Sequence, residues 1–127
     1  MIAIIDYGAG NIFSVKNALD HLGLENAFVS DEKSVRDADA VILPGVGAFP
    51  AAMNKLNESG LVDVIKEEAA KKPFLGICLG MQMLFDRSFE DGEWEGLGLI
   101  KGRVVRFGKE NDEDWYERSK IPHMGWN

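Results

Sequence analysis

Cysteine is almost missing from this chain. Cys78 is the only one in 127 residues, which excludes a disulfide within the chain and fits a reducing compartment. Basic residues are also scarce, 14 against 21 acidic ones for a net charge of −7, and no stretch holds five in a row. Nucleic acid and anionic membrane surfaces are therefore excluded as main partners. No apolar run reaches the roughly 18 residues of a membrane span. The opening Met1-Ile-Ala-Ile-Ile-Asp6 is too short for a signal peptide and lacks its basic residues, so a cytoplasmic protein is expected. Histidine occurs only as His21 and His123, which leaves few candidates for a general base. What is present is a globular composition, 46% hydrophobic and 28% charged, of a length suited to a single domain over 1–127.

Short apolar runs alternate with helical stretches. Met1–Ile5 predicts a strand covered on both faces. Asp6 closes it and Tyr7-Gly-Ala-Gly-Asn11 makes a turn. Asn11 is a suitable N-cap for a helix in which Ile12, Val15, Ala18, Leu19 and Leu22 recur at the spacing of a buried face, with Gly23 as its stop. The Gly8-x-Gly10 pair suggests a dinucleotide fingerprint, but its third glycine would fall at Phe13. No cofactor and no metal is expected.

Leu24–Val29 predicts a second strand, followed by a polar stretch from Ser30 to Lys33. Asp39–Leu43 predicts a third, running into Pro44-Gly-Val-Gly47. Helices are predicted over Pro50–Asn57, with proline in its first turn, and over Leu61–Lys71, with Leu61, Val62, Ile65 and Ala69 on one face. Phe74–Ile77 predicts a fourth strand, buried and central, and Met81–Phe85 a helix. Strands interleaved with helices imply right-handed βαβ units and a parallel sheet flanked by helices, a flavodoxin-like α/β fold. Beyond Phe85, Asp86–Glu95 reads as an acidic loop. Leu97–Ile100 and Arg103–Phe107, either side of Lys101-Gly102, predict a β-hairpin, and Gly108–Arg118 an exposed charged loop.

Chemistry concentrates at Gly76-Ile-Cys78-Leu-Gly80. A strand, a sharp turn carrying a nucleophile and then a helix follow the logic of a nucleophile elbow, with Cys in place of Ser. Cβ atoms at the flanking glycines would collide with the neighbouring strand and helix. Peptide N–H groups after the turn favour negative charge near the thiol. A lone cysteine after an apolar strand is more often a small core residue, but the glycine frame favours a functional thiol.

In open parallel sheets ligands bind beyond the carboxyl ends of the strands, where the Gly8–Asn11, Pro44–Gly47 and Gly76–Gly80 loops gather. N–H groups of Pro44–Gly47, facing the Cys78–Leu79 turn, would form the second half of an oxyanion hole. Gln82, one helical turn after Cys78, is placed to hydrogen-bond a polar substrate, and Glu90 to bind an α-amino group. The plain alternative for both is a solvated surface residue. His21, on the order of 15 Å away along its helix, is a poor base. His123 suits a structural hydrogen bond or a partner contact better than general-base work. The residues supply a nucleophile and oxyanion donors without a convincing base.

Gly76-Ile-Cys78-Leu-Gly80-Met-Gln82 resembles the nucleophile motif of class I, triad-type glutamine amidotransferases. Asp6-Tyr-Gly-Ala-Gly-Asn11, Pro44-Gly-Val-Gly-Ala-Phe49 and Pro122-His-Met-Gly-Trp-Asn127 extend the likeness over the whole chain. Together these motifs resemble the glutaminase subunits that feed a (β/α)8-barrel cyclase in histidine biosynthesis, and Met81 supports that choice. The resemblance implies that Cys78 attacks glutamine, that N–H groups of Leu79 and of Val46 or Gly47 hold the oxyanion, and that Gly47, Gln82 and Glu90 bind the substrate. It also implies that Asn11, His123 and Trp126 face the barrel partner. The family's catalytic His and Glu lie in a His-Pro-Glu type segment with no counterpart here. The expectation is the first three-fifths of the family pattern, weakly active or inactive alone, with an exposed sheet edge prone to self-association. Two rival readings remain: an interaction module without chemistry, and a thiol sensor or hydrolase of the same architecture.

Overall fold

The computed structural model describes residues 1–106. Its first half is a parallel four-stranded sheet made of β1 (Ile2–Ile5), β2 (Asn26–Val29), β3 (Ala40–Leu43) and β4 (Phe74–Gly76) in the order β2-β1-β3-β4. All three pairings are parallel, with Ile4 opposite both Phe28 and Ile42, and Leu43 opposite Gly76. The order reverses between β1 and β3, so the loops after these two strands open onto the topological switch point.

Alternation along the strands divides the core into two faces. Ala3, Ile5, Val41 and Leu43 turn one way, onto α2 (Glu32–Asp37), α3 (Phe49–Glu58) and α4 (Val62–Ala69), through Val35, Phe49, Leu56 and Ile65. Ile4 and Ile42 turn the other way, onto α1 (Ile12–His21) through Leu19, with Ile12 and Val15 packed at the margin. The expected buried stripe of α1 is narrower than its spacing predicts. Ala18 and Leu22 are exposed, and Leu19 alone of the stripe is buried, between Ile4 and Ile42, with Ile12 and Val15 half-buried beside it.

Two capping interactions set helix starts. Asn11 Oδ1 accepts from the Ser14 N–H at 3.2 Å, as expected of an N-cap, and Asp31 Oδ1 accepts from the Ser34 N–H at 2.9 Å. The polar stretch after Ser30 thus begins α2, an element absent from the sequence reading.

The second half departs further from expectation. β4 is the edge of the four-stranded sheet among the described residues, not a central strand, and Leu75 is 53% exposed. The helix after Cys78 is α5 (Leu79–Gln82), earlier and shorter than predicted. The supposed acidic loop holds β5 (Phe85–Ser88) and β6 (Trp94–Glu95), which pair antiparallel as a hairpin. The hairpin predicted around Lys101-Gly102 does not form. β7 (Ile100–Val104) passes straight through these residues and pairs parallel to β5, giving a second sheet ordered β6-β5-β7. Gly102 marks an irregularity in that pairing rather than a turn: its N–H donates to Asp86 Oδ2 at 3.0 Å, its φ is 138°, and a Cβ there would lie 3.2 Å from the Phe85 ring.

Candidate active site

The nucleophile turn is built by backbone packed on backbone. Cys78, between β4 and α5, has φ 55° and ψ −115°, a conformation that costs a non-glycine residue roughly 1–3 kcal/mol. Its neighbours explain how the strain is held. A Cβ at Gly80 would lie 1.9 Å from the Leu43 carbonyl oxygen, and one at Gly76 would lie 2.6 Å from the Met81 Cα. A Cβ at Gly45 would lie 2.5 Å from the Gly80 nitrogen. The start of α5 therefore presses directly on the end of β3, which only residues without side chains permit. The Ile77 N–H donates to the Leu43 oxygen at 3.0 Å and the Gly80 N–H to the Ile77 oxygen at 2.9 Å, closing the turn and leaving Cys78 exposed.

Cys78 opens into a cavity of about 490 Å³ that Gly47, Leu79, Gln82, Phe89, Glu90, Asp91 and the 104–106 segment also line. Four sequence-selected residues, Gly47, Leu79, Gln82 and Glu90, thus meet at the thiol. Val46 does not: half-exposed, it lines a second hollow of about 460 Å³ with Asp6, Asn11, Phe13 and Lys55 at the switch point. Val46 and Gly47, neighbours in sequence, thus line different hollows. His21 is exposed at the C-terminal end of α1. His123 and Trp126 lie outside the described residues.

Several residues that sequence reasoning passed over hold this geometry. Glu90 Oε2 accepts from the Phe49 N–H at 2.9 Å, so a carboxylate from the β5–β6 turn caps α3, whose own N-cap residue, Ala48, has no side-chain acceptor. A helix start lacking a capping side chain was the available signal that another element supplies the acceptor. The buried Tyr7 hydroxyl donates to the Pro44 oxygen at 2.8 Å, and burial pushes its pKa up to about 12, so it remains a neutral donor. Lys55 Nζ donates to the Gly8 oxygen at 2.8 Å, fastening α3 to the loop after β1. Among the described residues no group of three or more His, Cys, Asp or Glu side chains is placed to hold a metal ion. No described helix is long and apolar enough to cross a membrane.

The chain is 55% identical over its full length to the imidazole glycerol phosphate synthase subunit HisH of Sulfurimonas denitrificans, and 52% identical to that of Oceanobacillus iheyensis. It spans 60% of the length of each of these relatives. Among solved structures, a glutamine amidotransferase superposes with a TM-score of 0.69 at 24% identity, over 84% of this chain and 57% of that one. A putative peptidase E protein from Listeria monocytogenes superposes with a TM-score of 0.62 at 19% identity, over 78% and 62%. At such identities these two speak for the fold alone. Residues 1–111 match the CobB/CobQ-like glutamine amidotransferase domain, and it is to this family that the chain belongs.

Proposed function

We propose that this chain carries the nucleophile and the substrate pocket of a glutaminase subunit of imidazole glycerol phosphate synthase. In this reading ammonia from glutamine passes to a (β/α)8-barrel cyclase in histidine biosynthesis, in the cytoplasm. The observation that carries it is the positive-φ Cys78 in a cavity shared with Gly47, Gln82 and Glu90. Similarity to HisH subunits along the whole of this chain, though over only 60% of their length, supports the choice of assembly.

The chemistry follows from the groups present. Cys78 Sγ attacks the side-chain amide carbon of glutamine, and the carbonyl electron pair moves onto oxygen. The Leu79 N–H and an N–H of the Val46–Gly47 segment hold that oxyanion. Its collapse expels the nitrogen, which takes up the proton given up by the thiol and leaves as ammonia, and the carbon remains as a γ-glutamyl thioester. Water then cleaves the thioester to glutamate and restores the thiol. Gln82 and Glu90 orient the glutamine, Glu90 through its α-ammonium.

The resemblance assigns proton transfer to a His and a Glu that these 127 residues do not match. General acid–base catalysis contributes typically about 10²–10⁴-fold, so the chain by itself turns over glutamine very slowly or not at all. Asn11, His123 and Trp126 meet the barrel. Among the described residues no strand pairs with the outer edge of β4, and copies of this chain pair there at high concentration.

Labelling of Cys78 by a diazoketone analogue of glutamine, followed by intact mass, tests the reading. Faster labelling than by iodoacetamide at equal concentration, blocked by added glutamine, is the expected result. Equal rates with generic electrophiles and no protection by glutamine would contradict it and favour a thiol sensor.

A further inference from the structure

At the end of the parallel sheet away from Cys78, one ammonium group sits among four oxygens. Lys72 Nζ donates to the carbonyls of Val35, Arg36 and Ala38 at 3.1, 2.9 and 2.7 Å, and lies 2.8 Å from Glu68 Oε2. The three carbonyls belong to the last turn and C-cap of α2, where a helix leaves such groups without helical partners. Glu68 Oε1 is taken by Lys71 at 2.9 Å and by Arg36 at 3.5 Å. Only 11% of the Lys72 side chain and 7% of that of Glu68 is exposed, so water has little access to replace this ammonium.

The contact matters because of where it lies in the chain. Ala38 stands two residues before β3 and Lys72 two residues before β4. From there the strands run parallel, Val41 beside Phe74 and Leu43 beside Gly76, and lead to the close contact of Gly45 with Gly80 at the Cys78 turn. That contact of backbone on backbone tolerates little slip of one strand along the other. β4 has only three residues and pairs with β3 alone among the described strands, so few bonds of its own keep it in place.

We infer that the carboxyl end of α2 and Glu68 form a cation site which the chain fills with its own Lys72, and that Lys72 is a positioning residue for Cys78, holding β4 level with β3 from the far end. A compact ammonium with three donors suits three converging carbonyls better than a planar guanidinium does. Because three of the four oxygens are carbonyls, Lys72 stays seated in Glu68→Gln, where an amide oxygen replaces Oε2. The inference concerns the support of the thiol and is independent of glutamine, so its readouts use no substrate.

Amide exchange and thiol labelling test it in two variants. Lys72→Met keeps the apolar stem and removes the ammonium. The Ile77 N–H, bonded to the Leu43 oxygen where β3 and β4 end, should then exchange about tenfold or more faster relative to the Asp6 N–H, bonded to the Val29 oxygen beside β1 and β2. Iodoacetamide should label Cys78 more slowly, because peptide N–H groups that favour the thiolate are no longer held beside it. Ile65→Ala, a loss in the scaffold, should speed both amides together and leave labelling unchanged. Lys72→Ala opens the site. Added propylammonium should restore the wild-type ratio of the two amides there, and tetramethylammonium at the same concentration should not. Equal changes at the two amides in Lys72→Met, with labelling unaltered, would overturn the positioning role. Restoration by neither cation, or by both equally, would overturn the cation site.

Discussion

The two halves of the described chain are held together by different means. From β1 to α4, strands and helices meet through side chains: Ile4, Ile5, Leu43, Leu56 and Ile65 are all but fully buried. From the end of β3 to α5, backbone meets backbone, with Gly45, Gly76 and Gly80 in contacts that leave no room for a methyl group. The first arrangement supplies stability through apolar burial. The second spends some of that stability to hold Cys78 in a strained conformation. A scaffold and a site therefore respond differently to the same kind of substitution.

Alanine placed at glycines in each half should break the comparison most sharply. At Gly80 the new methyl overlaps the Leu43 carbonyl, backbone against backbone, and we expect a loss of about 3 kcal/mol or more, or failure to fold. At Gly60, between α3 and α4, φ is 74° but nothing lies within 4 Å of the added methyl. The loss there should be about 1–2 kcal/mol, read by urea unfolding. A larger loss at Gly60 than at Gly80 would reverse the assignment.

Ile65→Ala attacks the scaffold from the other side. It should cost about 2–5 kcal/mol while the folded protein keeps its rate of Cys78 labelling, because Ile65 is not among the residues that line the cavity. Tyr7→Phe comes next, since it removes the tie to the Pro44 oxygen. A cost of about 1 kcal/mol is expected, with a change in Cys78 labelling larger than Ile65→Ala produces, because the loosened segment carries Gly47.

The smallest effect is expected in the scaffold's charge network. Lys72 and Lys71 hold the Glu68 carboxyl down to about 2 from an ordinary value of 4.5. Because the folded pKa is the lower one, this stabilisation is complete above about pH 4.5 and disappears as the pH falls toward 2. Glu68→Gln should flatten the dependence of unfolding on pH across that window and leave labelling of Cys78 unaltered. An unchanged acid limb would show that the pairs contribute nothing measurable.

The same division governs what could be read in advance. In the scaffold, period and punctuation went most of the way. β1, β3, α1 and α3 fall where apolar runs, Asn11 and Pro50 put them, and the glycine frame around Cys78 correctly announced a strained turn. α2 escaped because it is only six residues long, although Asp31 three residues before Ser34 is a cap signal.

Beyond Cys78 the elements are short and decided by tertiary pairing. Gly102 sits in a parallel strand irregularity that looks like a turn in sequence. β4 read as central because its residues are apolar, yet no described strand covers its outer side. The cavity shows the same limit. Cys78 and Gln82 are four residues apart and their common face was foreseeable. The Phe49–Glu90 bond and the approach of the 104–106 segment depend on sheet register and were not.

The most direct test of the account is ammonia release from glutamine by this chain together with the barrel cyclase subunit and its nucleotide substrate, with a Cys78→Ala copy beside it. The account predicts release barely above or equal to the alanine copy from the 127-residue chain, and release about 10²-fold or more higher when the chain is extended to the full length of its relatives. That gain should vanish in the extended Cys78→Ala protein. Cleavage of glutamine that persists after Cys78 is replaced would contradict it.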